Sequence, residues 1–271
     1  MAVIERRPNS VTKRRPRIGP RASQVHIGLW RLLVGVALVA IWALIAWLAG
    51  QSFVPSPLQT LEAAGPIFAD GSVLRAALQS LYVFLTGYLA AIAFSVPLGL
   101  FMGGFRVFGA ALEPYMDALG AMPRVAFIPL IIVFLGLGYE AKIFIVFLGA
   151  MVPIMVNTYV GVLNADGDLI EMARSAGASD LQIFRKIMLP GAMPYIIAGV
   201  RVGAALALIN TVVAEFYTSI TGLGQLLMTY SSSFDMASYF VVVFVLGAIG
   251  LLTMQSLKLV ERRAMRGRTR E

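Results

Sequence analysis

Cysteine is absent from this chain and histidine occurs once, as His26. That excludes a disulfide scaffold, thiolate nucleophiles and the Cys/His sets that hold zinc, and leaves almost nothing for imidazole acid–base chemistry. Charge is scarce as well: 13% of residues are charged against 59% hydrophobic, with a mean hydropathy of +0.82, beyond what a water-soluble domain carries. The 22 Lys/Arg exceed the 14 Asp/Glu, but the excess sits at the two ends. Residues 1–31 hold eight basic residues against Glu5, and residues 258–271 hold six against Glu261 and Glu271, whereas the stretch between has eight against eleven acids. A nucleic-acid reader carries its positive charge on a folded face. Basic ends flanking apolar runs instead mark segments kept on the cytoplasmic side of a membrane, where anionic lipid attracts them. Lipid is therefore an expected partner and nucleic acid is not; His26 reads as a solvated residue at the membrane edge.

Long apolar runs are what the chain has in quantity. Crossing the hydrocarbon core takes about 20 apolar residues, and six segments qualify: Gly28 to Gly50, Ala76 to Gly104 (interrupted by Pro97), Leu112 to Leu137, Ile143 to Val162, Ala192 to Ala214 and Ser238 to Leu257. The first is too long for a signal-peptide core and no A-x-A site follows it. The third contains Pro114, Pro123 and Pro129, so it is expected to be broken and buried in protein, where neighbours satisfy the freed carbonyls. Six spans put both ends on one side. The segments then placed inside (both tails, 105–124 and 164–190) carry 8, 6, 2 and 3 Lys/Arg, and those placed outside carry only Arg75 and Lys142. That bias sets the orientation. The expectation is a multi-pass plasma-membrane protein with a basic tail over 1–27, one all-α membrane domain over 28–260 and a second basic tail over 261–271. Outside the membrane, "SFVPSPLQT" reads as a turn leading into a short amphipathic segment, and the unbasic stretch 215–237, with Gly222 and Gly224, as one that dips back.

One polar stretch interrupts the second half: "EMARSAGASDLQIFRKIMLP", residues 171–190. Asp168 followed by Glu171, and Ser179 followed by Gln182, have the spacing of N-caps with reciprocal partners, and Gly177 between them suits a left-handed helix end. Two short helices joined by a sharp turn are too short to stand alone in water and too charged to enter lipid. Docking in a groove of a cytoplasmic partner would use their apolar faces.

This stretch resembles the signature of permease subunits of bacterial ABC importers: E-A-A, three residues, G, nine residues, I-x-L-P. Glu171, Ala173, Gly177, Ile187, Leu189 and Pro190 stand at the matching places, and Met172 replaces the second alanine. From about Val54 to Arg262 the chain is similar to the nitrate/sulfonate/taurine-type permeases. The supporting features are "VPSP", Ser80-Leu81 with Gly87, "FIPL" with Gly136-Leu137-Gly138, "LPGAMPYIIAGVR" and "AEF" followed by "GLG". Val83, where an arginine is common, and Glu113-Pro114, where Asp-Pro is common, bear on the cargo rather than the class.

The resemblance implies a type I ABC importer permease of about six helices, with a coupling helix formed by Glu171, Ala173, Gly177, Ser179, Ile187, Leu189 and Pro190. It implies two separate ATPase subunits that bind ATP and Mg, a second and identical permease copy, and an extracytoplasmic solute-binding protein. The chain itself has no G-x-x-x-x-G-K-[ST], the loop that cradles nucleotide phosphates; no cofactor and no catalytic site are expected in it. Arg124, Asn157, Asn210 and Glu215 are the candidates for the translocation route, because polar groups at membrane depth face protein or water; interhelical hydrogen bonding is the commoner use of such residues. Arg201 lies close enough to the inner face to snorkel. The pairs Gly99/Gly103 and Gly199/Gly203 allow close helix approach, chiefly within the chain. The alternative is a stand-alone channel or ion-coupled carrier, which would need ionisable coupling residues or inverted repeats.

Overall fold

The computed structural model describes residues 20–50 and 53–265, and all regular structure among them is helical. Most of both basic tails, and the side chain of His26, lie outside the described residues. Helix α1 is Pro20–Ala49. A short helix α2, Pro57–Ala69, starts at Ser56, whose hydroxyl accepts from the Gln59 amide while the Gln59 side chain accepts from the Ser56 amide. Helix α3 is Ser72–Gly104 and runs through Pro97 without interruption.

The third apolar segment is broken, as its prolines require. Helix α4, Arg106–Ala121, and a 3₁₀ turn at Arg124–Phe127 leading into α5, Ile128–Leu135, meet at an 85° bend. Helix α6 is Tyr139–Leu163, followed by the short α7, Gly167–Ser175, and α8, Asp180–Ile183. Helix α9, Leu189–Thr218, leads to α10, Leu223–Ser232, and α11, Met236–Met265. Among the described residues, five helices are long and apolar enough to cross a membrane, or six if the bent pair counts as one span.

Helix α6 is the axis of the bundle. Its neighbours α3 and α9 come close because glycines face it: a Cβ at Gly87 would meet Val146, at Gly99 Thr158, at Gly103 Val162, at Gly199 Asn157 and at Gly203 Ile154. Small residues replace the hydrophobic driving force that lipid cannot supply between helices. All of these approaches are within the chain. Tyr88 closes the seam by donating its hydroxyl to the Val200 carbonyl at 2.8 Å. By contrast α1 stands almost alone: its anchor is Trp42, which stacks on Phe240, tilts against Phe244 and donates its indole N–H to the Pro55 carbonyl at 3.0 Å.

Three sequence expectations change in detail. The N-cap of α7 is Asp166, whose carboxylate accepts from the amides of Asp168 and Leu169; Asp168 lies in the first turn, where its charge still favours the helix dipole. Lys142, counted with an outer connection, belongs to α6 and is 1% exposed. The second amphipathic piece is no separate helix either: residues Asp180–Thr218 form one continuous helical rod into the fifth span.

Candidate functional site

At one end of the bundle the chain between α6 and α9 makes an exposed elbow. Helix α7 ends in a Schellman motif: the Ala178 amide donates to the Ala173 carbonyl, the Gly177 amide to Arg174, and Gly177 takes φ +80°. Only glycine adopts that conformation without penalty. Two residues on, Ser179 opens α8 with a full capping box, its hydroxyl accepting from the Gln182 amide and the Gln182 side chain accepting from the Ser179 amide. These are local bonds, so the elbow keeps its shape with little help from the bundle. Glu171, Gly177 and Ser179 are exposed, Ala173 half-buried, and Ile187, Leu189 and Pro190 half-buried where the elbow joins α9. Met172 and Leu181 stand 64% and 63% exposed on its outer side, an apolar surface on an element otherwise charged. Arg174 and Asp180 make a 3.7 Å ion pair in full view of solvent, a weak contribution.

At the opposite end lies a buried polar knot, of which the sequence pointed to Glu215 as a candidate for the route or for interhelical hydrogen bonding. The Glu215 carboxylate, 0% exposed, accepts from the Ser80 hydroxyl at 2.7 Å and from the Gly224 amide at 2.8 Å. The Ser80 oxygen accepts in turn from the Leu223 amide at 2.8 Å, and the Gln79 side chain from the Gly222 amide at 3.2 Å. Lys142 donates to the carbonyl and hydroxyl of Thr221 at 2.9 and 2.8 Å. The first amides of α10 are thereby satisfied by side chains of α3 and α9, and α6 holds the preceding turn. Gly222 and Gly224 have to be glycine here: a Cβ on either would run into Glu215. Lys142, Gln79 and Thr221 were missed as members; the partner of Lys142 is 79 residues away, and only its place at the edge of an apolar run could have pointed to it.

The other polar candidates gather around the middle of α6. Pro153 has no N–H for the Gly149 carbonyl one turn back, and Arg124 fills that acceptor through Nη1 at 2.8 Å. Asn210 packs on the same Gly149 and donates to the Leu206 carbonyl; Asn157 packs on Gly199 and donates to the Pro153 carbonyl. The structure thus brings Arg124 and Asn210 to one glycine, with Asn157 two turns further along. Arg124 also borders an apolar groove of about 670 Å³ between α4, α5 and α6, lined by Phe127, Phe134, Phe144 and Met151 among others. Glu215 faces away from this groove into its knot. Arg201 forms an ion pair with Glu261 near the end of α11, consistent with a snorkelling cation.

A helical bundle with a broken third span, glycine-notched central helices and a capped elbow before the fifth span defines a class: a multispan membrane protein. Residues 95–266 match the family model of the binding-protein-dependent transport system inner membrane component, and the chain belongs to that family. It is similar to a "Probable ABC transporter permease protein" of Brucella melitensis biotype 1, at 32% identity, with 88% of this chain and 92% of the relative covered. It is also 29% identical to the taurine transport system permease protein TauC of Escherichia coli K12, over 90% of each chain. In fold it matches a chain of the inward-facing MetNI methionine ABC transporter, with TM-score 0.63 and 19% identity over 74% of this chain and 99% of that one. The chain is therefore the membrane-spanning permease subunit of an ABC importer for a small solute, and a transport component rather than an enzyme.

Proposed function

We propose that the elbow over residues 171–190 is the coupling element of this permease, seated in a cleft of a separate ATPase subunit that binds ATP and Mg. The observation that carries the reading is the elbow itself: exposed Met172 and Leu181 on a unit held rigid by Gly177 and the Ser179 box, and continuous with the fifth span. Apolar side chains on a short, rigid, exposed helix pair suit a protein groove. Two such elbows and two ATPases complete one importer, since this chain supplies half a pathway. The apolar groove beside α5, where Val133 and Phe134 are 78% and 77% exposed, supports a second, identical copy against that face. Arg124, Asn157 and Asn210 then border the route.

The elbow end also carries most of the basic residues between the tails, which supports a cytoplasmic side for it and for both termini. The knot end faces out, toward a solute-binding protein. The cargo is a small organic solute of the sulfonate, taurine or nitrate-like range, in keeping with the taurine permease among the relatives.

The test is site-specific crosslinking. A photoreactive group at Ser179 or Gln182 in membranes of the native host gives an adduct with a cytosolic ATPase; adducts with lipid alone would overturn the reading. The purified chain by itself hydrolyses no ATP, and measurable turnover would count against the division of labour.

A further inference from the structure

Between elbow and membrane the helix changes pitch. Phe184–Met188 form a single π-turn, in which the Leu189 amide reaches back five residues to the Phe184 carbonyl. The cause is in the sequence: Pro190 has no N–H to give the Lys186 carbonyl, and its ring crowds that carbonyl, so the backbone widens by one residue instead of breaking. Pro194 repeats the deletion one turn later, inside α9. The segment joining elbow to span is thus short of helical hydrogen bonds on one side, and such places bend.

Phe184 occupies the joint. Its ring lies against Gly104, where a Cβ would sit 3.2 Å from the ring edge, and it packs against the cluster formed by Val162, Ala192 and Ile196. Those residues belong to the ends of α3 and α6 and the beginning of α9. Gly103, next along, lets α3 press onto Val162. One side chain rooted in the π-turn therefore sits at the junction where the ends of α3 and α6 meet the beginning of α9, while Ile183 beside it is buried.

We infer that Phe184 is the positioning residue through which displacement of the elbow reaches α3 and α6, and that the π-turn set by Pro190 is the compliant joint that lets it move. This rests on the coupling role proposed for residues 171–190. Without the ring, the elbow would still dock and the bundle would still fold, but motion at α8 would be absorbed at the joint rather than passed on.

The experiment uses the assembled importer, copurified with its ATPase and reconstituted in vesicles with its binding protein. Phe184→Ala lowers ATP-driven uptake about tenfold, the scale of coupling changes made away from either site, while ATP hydrolysis by the same vesicles stays within about twofold. Phe184→Leu restores most of the uptake, and Phe184→Ala combined with Gly104→Val, which refills the notch from the other side, restores part of it. Uptake by Phe184→Ala equal to the parent overturns the inference, as does a parallel loss of uptake and hydrolysis. The Ser179 crosslink is run on the same variants: retained adduct with lost uptake supports the transmission role, and no adduct even in the parent means that the coupling reading has failed instead.

Discussion

The two ends of this bundle use polar residues in opposite ways. At the knot, Glu215, Ser80 and Lys142 reach across three spans and bury their polar atoms in one another and in the first amides of α10. At the elbow, Asp166, Ser179 and Gln182 bond only to backbone a few residues away and remain open to solvent. The knot spends long-range contacts on fixing the bundle. The elbow holds its own shape and leaves its apolar side chains free. A buried carboxylate without partners is very costly, so the knot tolerates little change. An exposed capping box is worth on the order of 1 kcal/mol, so the elbow can vary in stability while its shape is what matters. The expected division is that lesions at the knot unfold the protein and lesions at the elbow uncouple it.

Glu215→Ala tests that division most severely. It leaves Lys142 without its neighbouring charge and the Gly224 amide without an acceptor in a buried site, a loss of about 3–5 kcal/mol. Thermal unfolding in detergent should show it, with Glu215→Gln intermediate because its amide oxygen can still accept. A melting curve unchanged in Glu215→Ala would mean that the knot does not hold its end of the bundle together.

Gly177→Val sharpens the other side. A β-branched residue in the left-handed region costs about 1–2 kcal/mol, and nothing lies near the new side chain, so the penalty falls on the turn alone. Membrane insertion and unfolding temperature should stay close to the parent while ATP-dependent uptake is lost. Uptake at parental rates would remove the elbow from the mechanism. Ser179→Ala is the mildest change: about 1 kcal/mol of local helix stability goes with the capping box, and uptake falls only in part. Amide exchange confined to residues around 180–183 is the measurement; protection lost across α9 as well would show that elbow and span are stabilised as one unit.

Much of the elbow was readable because its determinants are local. Ser179 and Gln182 are three residues apart, and Gly177 declares its conformation by being glycine at a helix end. The error there was equally local: Asp166 and Asp168 are both able to cap, and the spacing to Glu171 favoured the wrong one. The broken third span followed from its prolines. Pro153 leaves the Gly149 carbonyl without its helical partner, but nothing local tells that Arg124, 25 residues earlier, fills it. Lys142 was the larger miss. Counted as an outer loop cation, it is instead buried and bound to Thr221, because local hydropathy says nothing of a partner across the bundle.

The amino-acid order by itself determined the spans, the breaks at proline and the capped elbow, since each depends on groups within about one helical turn or on an average over one apolar run. Tertiary structure alone decided which helices meet at the glycine notches, that Ser80, Lys142, Glu215 and the start of α10 share one site, and that Phe184 lies against Gly104 where α3, α6 and α9 come together. Those pairings bring together groups far apart along the chain. They are selected by how closely whole helices can approach, a property of the packed bundle that no short window of sequence contains.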